Sequence, residues 1–196
     1  VLTNAGGPGI LAVDALESEG LEVPEFSAAL QDELRSGLSA EAAVRNPVDM
    51  IASAGPDQYQ ACLRALLRSD EVDSVIVIFI PTSPGALEPI HTAVHEAVAA
   101  AAGDKTVLTV FMEADADGIP RRAPGMPKLP SYTFPEPAAR ALARAVRYAE
   151  WRKRPEGEVR LTQDTLYPEA ETGRLDLAMP RSMRFGLKFR VPSWAR

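Results

Sequence analysis

The run Val75-Ile76-Val77-Ile78-Phe79-Ile80 constrains this chain more than any other segment, because it is apolar at six successive positions with no polar alternation. A strand with one wet face alternates. A strand without alternation is buried on both faces, as in the middle of a parallel sheet covered by helices. Thr106 to Phe111 reads as a second strand of the same kind.

The segments around these runs alternate between strand and helix patterns. Val1 to Thr3 reads as a strand end and Pro8 to Glu19 as a helix stopped by Gly20. Leu21 to Val23 reads as a short strand, and Ser27 as the N-cap of a helix carrying Leu30, Leu34 and Leu38. Val44 to Met50 is a strand or strand-to-loop passage. Tyr59, Cys62, Leu63, Leu66 and Leu67 fall at helical spacing, and Leu87 to Ala102 forms a further helix. The proline- and glycine-rich stretch Glu113 to Pro130 reads as a long loop. Tyr132 to Phe134 reads as an edge strand and Pro135 to Arg154 as a last helix. This order predicts an α/β three-layer sandwich with a mostly parallel sheet and helices on both faces. The expected domain is 1–155. The remainder, 156–196, is expected to be a linker or irregular tail, with weak alternation around Met183 to Val191.

Composition narrows the function. Of the 196 residues, 46% are hydrophobic and 24% charged, which excludes wholesale disorder. Five basic and no acidic residues lie between Arg181 and Arg196. The first 180 residues therefore carry 16 basic against 27 acidic groups, a net −11, which argues against nucleic acid as a partner. No apolar run reaches membrane-spanning length and no signal peptide is evident, so no membrane partner and a cytoplasmic location are expected. Cys62 is the only cysteine, which excludes an internal disulfide. The chain opens on Val1 inside an apolar run and is expected to be a piece of a longer polypeptide.

The strongest local signal is the turn Asn4-Ala5-Gly6-Gly7-Pro8-Gly9 between a strand and a helix. Backbone N–H groups at such a helix start point into one concavity, where an anion is favoured, and glycines permit close approach. The same residues also fit a tight turn packed close for steric reasons. They fit, more loosely, the dinucleotide pattern Gly7-x-Gly9-x-x-Ala12 with Glu22 or Glu25 following. Asn46-Pro47-Val48-Asp49 and Pro81-Thr82-Ser83-Pro84-Gly85 follow strand-like runs. Asn46, Asp49, Thr82 and Ser83 are thus candidates for the rim of a ligand crevice, or ordinary turn residues. His91 and His95, four apart, have metal-compatible spacing but no cysteine or well-placed acid. His91 is expected to flank the apolar stripe and His95 to face outward, both at the surface or its boundary. No metal site is expected, and Glu113 to Asp117 reads as a solvated acidic loop.

The segments Val1 to Ala12, Val44-Arg45-Asn46-Pro47-Val48-Asp49 and Val72 to Val77, in that order, resemble the NDP-forming acyl-CoA synthetases of the succinyl-CoA ligase superfamily. Phe134 to Leu142 and Tyr148 to Arg152 resemble the end of the same domain, so the resemblance covers about 1–155. It implies a flavodoxin-like ligase domain, the second of two in these enzymes. They join a carboxylic acid to CoA at the expense of ATP or GTP with Mg, through an acyl phosphate and a phosphorylated histidine. The resemblance places that histidine in another domain, within a Ser-His-Thr-Gly-type segment absent from this chain. CoA binding falls to a Rossmann-like domain and nucleotide binding to an ATP-grasp domain. No catalytic residue is therefore expected in this chain, which alone would bind no cofactor. The other domains would be its partners, in an enzyme expected to be oligomeric. Carried over by motif, Asn4, Ala5, Gly6, Gly7, Gly9 and Ile10 would line a phosphate site, with the helix from Pro8 aimed at the phosphohistidine. The alternatives are a stand-alone dinucleotide-binding module and a non-catalytic interface domain.

Overall fold

The computed structural model describes residues 1–101, 105–112, 125–153, 160–164 and 174–178. Five strands form one sheet, all pairs parallel: β1 (Leu2–Thr3), β2 (Val48–Asp49), β3 (Ser74–Phe79), β4 (Thr106–Phe111) and β5 (Ser131–Tyr132), in the order β2-β1-β3-β4-β5. That order is the flavodoxin-like one, and it reverses direction between β1 and β3. The helices are α1 (Gly6–Ser18), α2 (Ala28–Arg35), α3 (Pro56–Arg68), α4 (Leu87–Ala100) and α5 (Pro135–Lys153).

The long apolar strands behave as their sequence predicts. The pleat sends Val75, Val77 and Phe79 of β3 into one core, with Val107 and Phe111 of β4. It sends Ile76, Ile78, Leu108 and Val110 into the other. The first core is closed by α2, α3 and α4, through Leu30, Tyr59, Leu63, Leu66 and Val94 among others. The second is closed by α1 and α5, through Ala12, Leu16, Ala138, Ala139 and Leu142. The strands β3 and β4 therefore have a helical layer on each side, and α3 buries the five residues its spacing selects. Cys62 is among them, and burial pushes its thiol up to about 11, so it packs as a small apolar group. Ser27 caps α2, its Oγ accepting the Leu30 N–H at 3.3 Å.

Several local expectations are corrected. Leu21 to Val23 is not a strand. Val48–Asp49 holds the edge beside β1, and Leu21 and Val23 instead pack half-buried against the α1/α5 core. Regular pairing in Val44 to Met50 is confined to Val48–Asp49, after a cis Asn46–Pro47 bond. The edge strand β5 is Ser131–Tyr132, and Phe134 stands exposed ahead of α5.

His95 does not face outward. Both histidines are buried, at 5% and 4% exposure. Because α4 packs on α3 as well as on the sheet, its buried residues Ile90, His91, Ala93, Val94, His95 and Ala97 cover roughly 200° of the helix, wider than a single stripe. The rings lie 4.1 Å apart, His95 Nδ1 is 2.8 Å from the His91 carbonyl oxygen, and His91 packs on Phe111. Burial, and secondarily the neighbouring imidazole, lowers the His91 pKa to about 4.

The chain divides into two compact units, Val1–Tyr148 and Ala149–Arg196. In the second, β6 (Arg160–Asp164) and β7 (Arg174–Ala178) pair antiparallel. Glu113 to Asp117 and Met183 to Val191 lie outside the described residues.

Candidate functional site

All five strands end at the same edge of the sheet, and in this strand order ligands bind where the order reverses, beyond the ends of β1 and β3. The turn from β1 into α1 sits at that place. α1 begins at Gly6, two residues earlier than Pro8, which puts Gly6 and Gly7 inside its first turn.

The first four N–H positions of a helix have no partner within it. Here they belong to Ala5, Gly6, Gly7 and Pro8. The Ala5 N–H donates to Thr3 Oγ1 at 3.0 Å, and the same hydroxyl donates to the Ala5 carbonyl, closing the turn. Pro8 has no N–H. Gly9 already donates into the helix, to the Ala5 carbonyl at 3.2 Å. Gly6 and Gly7 are left, two adjacent donors with no protein acceptor among the described residues, at the positive end of a 13-residue helix.

The three glycines serve different ends. A Cβ on Gly9 would lie 3.0 Å from Thr3 Cγ2 and 3.4 Å from Pro47, so Gly9 lets α1 press against β1 and the β2 approach. A Cβ on Gly6 would lie 2.9 Å from Asp49 Oδ2. At Gly7 a Cβ would meet nothing within 4 Å, so this side of the turn is open.

Asp49 is brought here by register, β2 pairing Thr3 with Asp49. Its Oδ1 accepts the Ile51 N–H at 3.0 Å, and Ile51 has φ +64°, a rare conformation for a β-branched residue. Its other oxygen flanks the glycine turn. Asn4 is buried and bound to Ile80 through both ends of its amide: Nδ2 donates to the Ile80 carbonyl and Oδ1 accepts the Ile80 N–H, each at 2.9 Å. Beneath lies Tyr59, fully buried, donating its hydroxyl to the Ile78 carbonyl at 2.7 Å. Its pKa is raised well above the usual phenol value, chiefly by burial, which keeps it a neutral donor.

Of the other sequence candidates, Thr82 and Ser83 are exposed on the loop after β3. Asn46 turns away, its Nδ2 donating to the Pro24 carbonyl at 3.0 Å. Ile10 is solvent-facing, one helical turn beyond Gly6. Thr3 escaped the sequence reading, though a threonine two residues before an unpaired N–H is a known turn-closing arrangement. Among the described residues no three His, Cys, Asp or Glu side chains converge as a metal site, and no helix is long and apolar enough to cross a membrane.

Residues 1–118 match the sequence family described as the Ligase-CoA domain. The chain belongs to that family. Among relatives of this Ligase-CoA domain is the alpha subunit of ADP-forming acetate–CoA ligase II of Pyrococcus furiosus, 36% identical over 152 residues, covering 76% of this chain and 33% of that subunit. The ADP-forming 4-hydroxybutyrate–CoA ligase of Nitrosopumilus maritimus is 25% identical over 159 residues, 81% of this chain and 22% of the relative. A crystal structure of a Pyrococcus horikoshii protein superimposes with a TM-score of 0.65 at 36% identity, over 76% of this domain's chain and 35% of the other. The dinucleotide-forming acetyl-coenzyme A synthetase 1 of Candidatus Korarchaeum cryptofilum, solved with phosphate and ADP, shares the fold (TM-score 0.65, 22% identity, 77% and 32% coverage). The chain spans about a third or less of the length of these relatives.

Proposed function

We propose that this Ligase-CoA domain supplies the anion-cradling half of a phosphoryl-transfer centre in an NDP-forming acyl-CoA synthetase. The complete enzyme joins a carboxylic acid to CoA while converting ATP or GTP to the diphosphate and phosphate, with an acyl phosphate and a phosphohistidine between. The reading rests on one observation above all: Gly6 and Gly7 present two unspent N–H groups at the start of α1, at the point where the strand order reverses. The 36% identity to an acetate–CoA ligase subunit supports it.

In this reading the phosphoryl group enters from the Gly7 side, since Asp49 flanks Gly6. Asp49 Oδ2 accepts a hydrogen bond from a protonated phosphoryl oxygen or an incoming imidazole N–H and repels a second unprotonated oxygen. Thr82 and Ser83 form the outer rim. Asn4 acts by position, tying the ends of β1 and β3 together so that the turn is held rigid. CoA, nucleotide and Mg belong to the other domains of the enzyme, as does the phosphorylated histidine.

The test is made in the complete ligase with radiolabelled nucleotide. Gly7→Val should lower the amount or lifetime of phosphohistidine, because the new side chain occupies the phosphoryl position. His91→Ala and His95→Ala should leave it nearly intact in the folded protein. Loss with His91→Ala but not with Gly7→Val would remove the chemistry from the glycine turn. The 196-residue chain alone should form no acyl-CoA.

A further inference from the structure

We propose that the Tyr59 hydroxyl is a positioning group for phosphate: it fixes the point at which β1 leaves the sheet, and thereby the direction of the Gly6 and Gly7 N–H groups. The inference rests on the function proposed above and deepens it by one residue of α3. Register identifies the place. The Thr3 carbonyl accepts the Met50 N–H, on the β2 side, so by strand alternation the N–H of Asn4 faces β3. Thr3 pairs with Ile78, and the acceptor in line for that N–H is the Ile78 carbonyl. The same carbonyl accepts the Tyr59 hydroxyl at 2.7 Å, and the Asn4 N–H is a donor toward the phenol oxygen as well. One rung farther the backbone has gone. A continued ladder would give the Ile80 N–H to the Asn4 carbonyl, whereas Asn4 Oδ1 takes it at 2.9 Å. β1 therefore turns out of the sheet within Asn4, at the rung that the phenol shares.

Filling space does not require this hydroxyl. Tyr59 is fully buried, and its ring meets Phe79, the last residue of β3, edge to face with centroids 5.7 Å apart. A phenylalanine would fill that space and keep that contact. A buried hydroxyl has to find partners, and those of Tyr59 lie where the two strands part. Gly6 and Gly7 follow Asn4 by two and three residues, too short a link to absorb a shift at Asn4. Without the phenol the Asn4 N–H closes on the Ile78 carbonyl alone, which draws the start of α1 toward β3 and re-aims both donors. Anion binding by two N–H groups is sensitive to such a change, because a hydrogen bond weakens steeply with length and angle.

The test is Tyr59→Phe in the complete ligase, assayed in the direction that consumes phosphate, with Leu66→Ala for comparison. Tyr59→Phe should raise the KM for phosphate by about tenfold and leave the KM for the nucleoside diphosphate unchanged. Leu66 lies about two turns along α3 from Tyr59, in the same core. Leu66→Ala loosens that core away from the strand ends and should leave both KM values unchanged. An unchanged phosphate KM in Tyr59→Phe overturns the proposal. So does an equal rise in Leu66→Ala, which would make the effect one of general stability. The Gly7→Val phosphohistidine measurement keeps the two readings apart. If Gly7→Val lowers phosphohistidine while Tyr59→Phe leaves the phosphate KM unchanged, the cradle stands and only the role of Tyr59 fails. If Gly7→Val has no effect, the cradle fails and the role of Tyr59 with it.

Discussion

Asn4 and Ile80 are joined by a reciprocal pair of hydrogen bonds, the asparagine amide donating to the isoleucine carbonyl and accepting its N–H, both at 2.9 Å. β1 ends at Thr3 and β3 at Phe79, so the pair extends the ladder by one side chain past the last strand residues. A side chain that imitates a backbone partner stops the two strand ends from splaying where the ligand crevice would open.

Asn4→Ala should therefore destabilise the fold by about 2–4 kcal/mol, since it orphans both the N–H and the carbonyl of Ile80. Asn4→Asp should cost at least as much, because it keeps the acceptor but turns a buried carboxylate toward a carbonyl oxygen. Urea denaturation of the three proteins checks the order. A loss below 0.5 kcal/mol for Asn4→Ala would show that the bridge is dispensable.

The glycines of the turn should separate stability from function. Gly7→Ala places its methyl in open space within a helix and should be neutral or stabilising by up to about 1 kcal/mol. Gly9→Ala, with its methyl against Thr3 and Pro47, should destabilise by about 1–3 kcal/mol. Thermal melts of the single variants give the comparison, and equal melting temperatures would contradict the contacts described.

His91 should make stability depend on pH. Its folded pKa, about 4, lies below the ordinary imidazole value, so between the two the unfolded chain binds more protons. The contribution is complete above about pH 6.5 and is lost progressively as the pH falls from there toward 4, by about 2–3 kcal/mol in all. The rings of His95 and Phe111 pack against it, and among the described residues the charge effect on it comes from His95. His91→Leu should flatten the stability profile between pH 7 and 4.5. An unchanged slope would mean that other groups carry it.

Leu66, 1% exposed on α3, tests the larger core. Leu66→Ala should cost about 2–5 kcal/mol by denaturant titration. A change of a few tenths would mean that α3 does not close that layer.

Much of this architecture is written in local pattern. β3 and β4 are legible because a strand covered on both faces must be apolar at every position, and α3 because one buried face selects residues three and four apart. The glycine turn is legible because glycines between a strand and a helix mark a place where other groups can approach the backbone closely. The remainder depends on neighbours that are distant in the chain. β1, β2 and β5 have two residues each, too few to carry a period, and exist because longer strands or the sheet edge pair with them. Leu21 to Val23 is strand-like in composition, but the place beside β1 is taken by Val48–Asp49. His95 is buried because α4 meets two surfaces at once, which a helical wheel of α4 alone does not contain. The surroundings of the turn are likewise a tertiary matter. Thr3 closes on Ala5 locally, but Ile80 reaches Asn4 and the carboxylate of Asp49 reaches Gly6 through strand register and chain crossing. Sequence set a strand, these glycines and a helix in that order, and only the tertiary structure decided that they lie where the strand order reverses, with Asp49 against Gly6 and open space at Gly7, because strand pairing joins segments far apart in the chain.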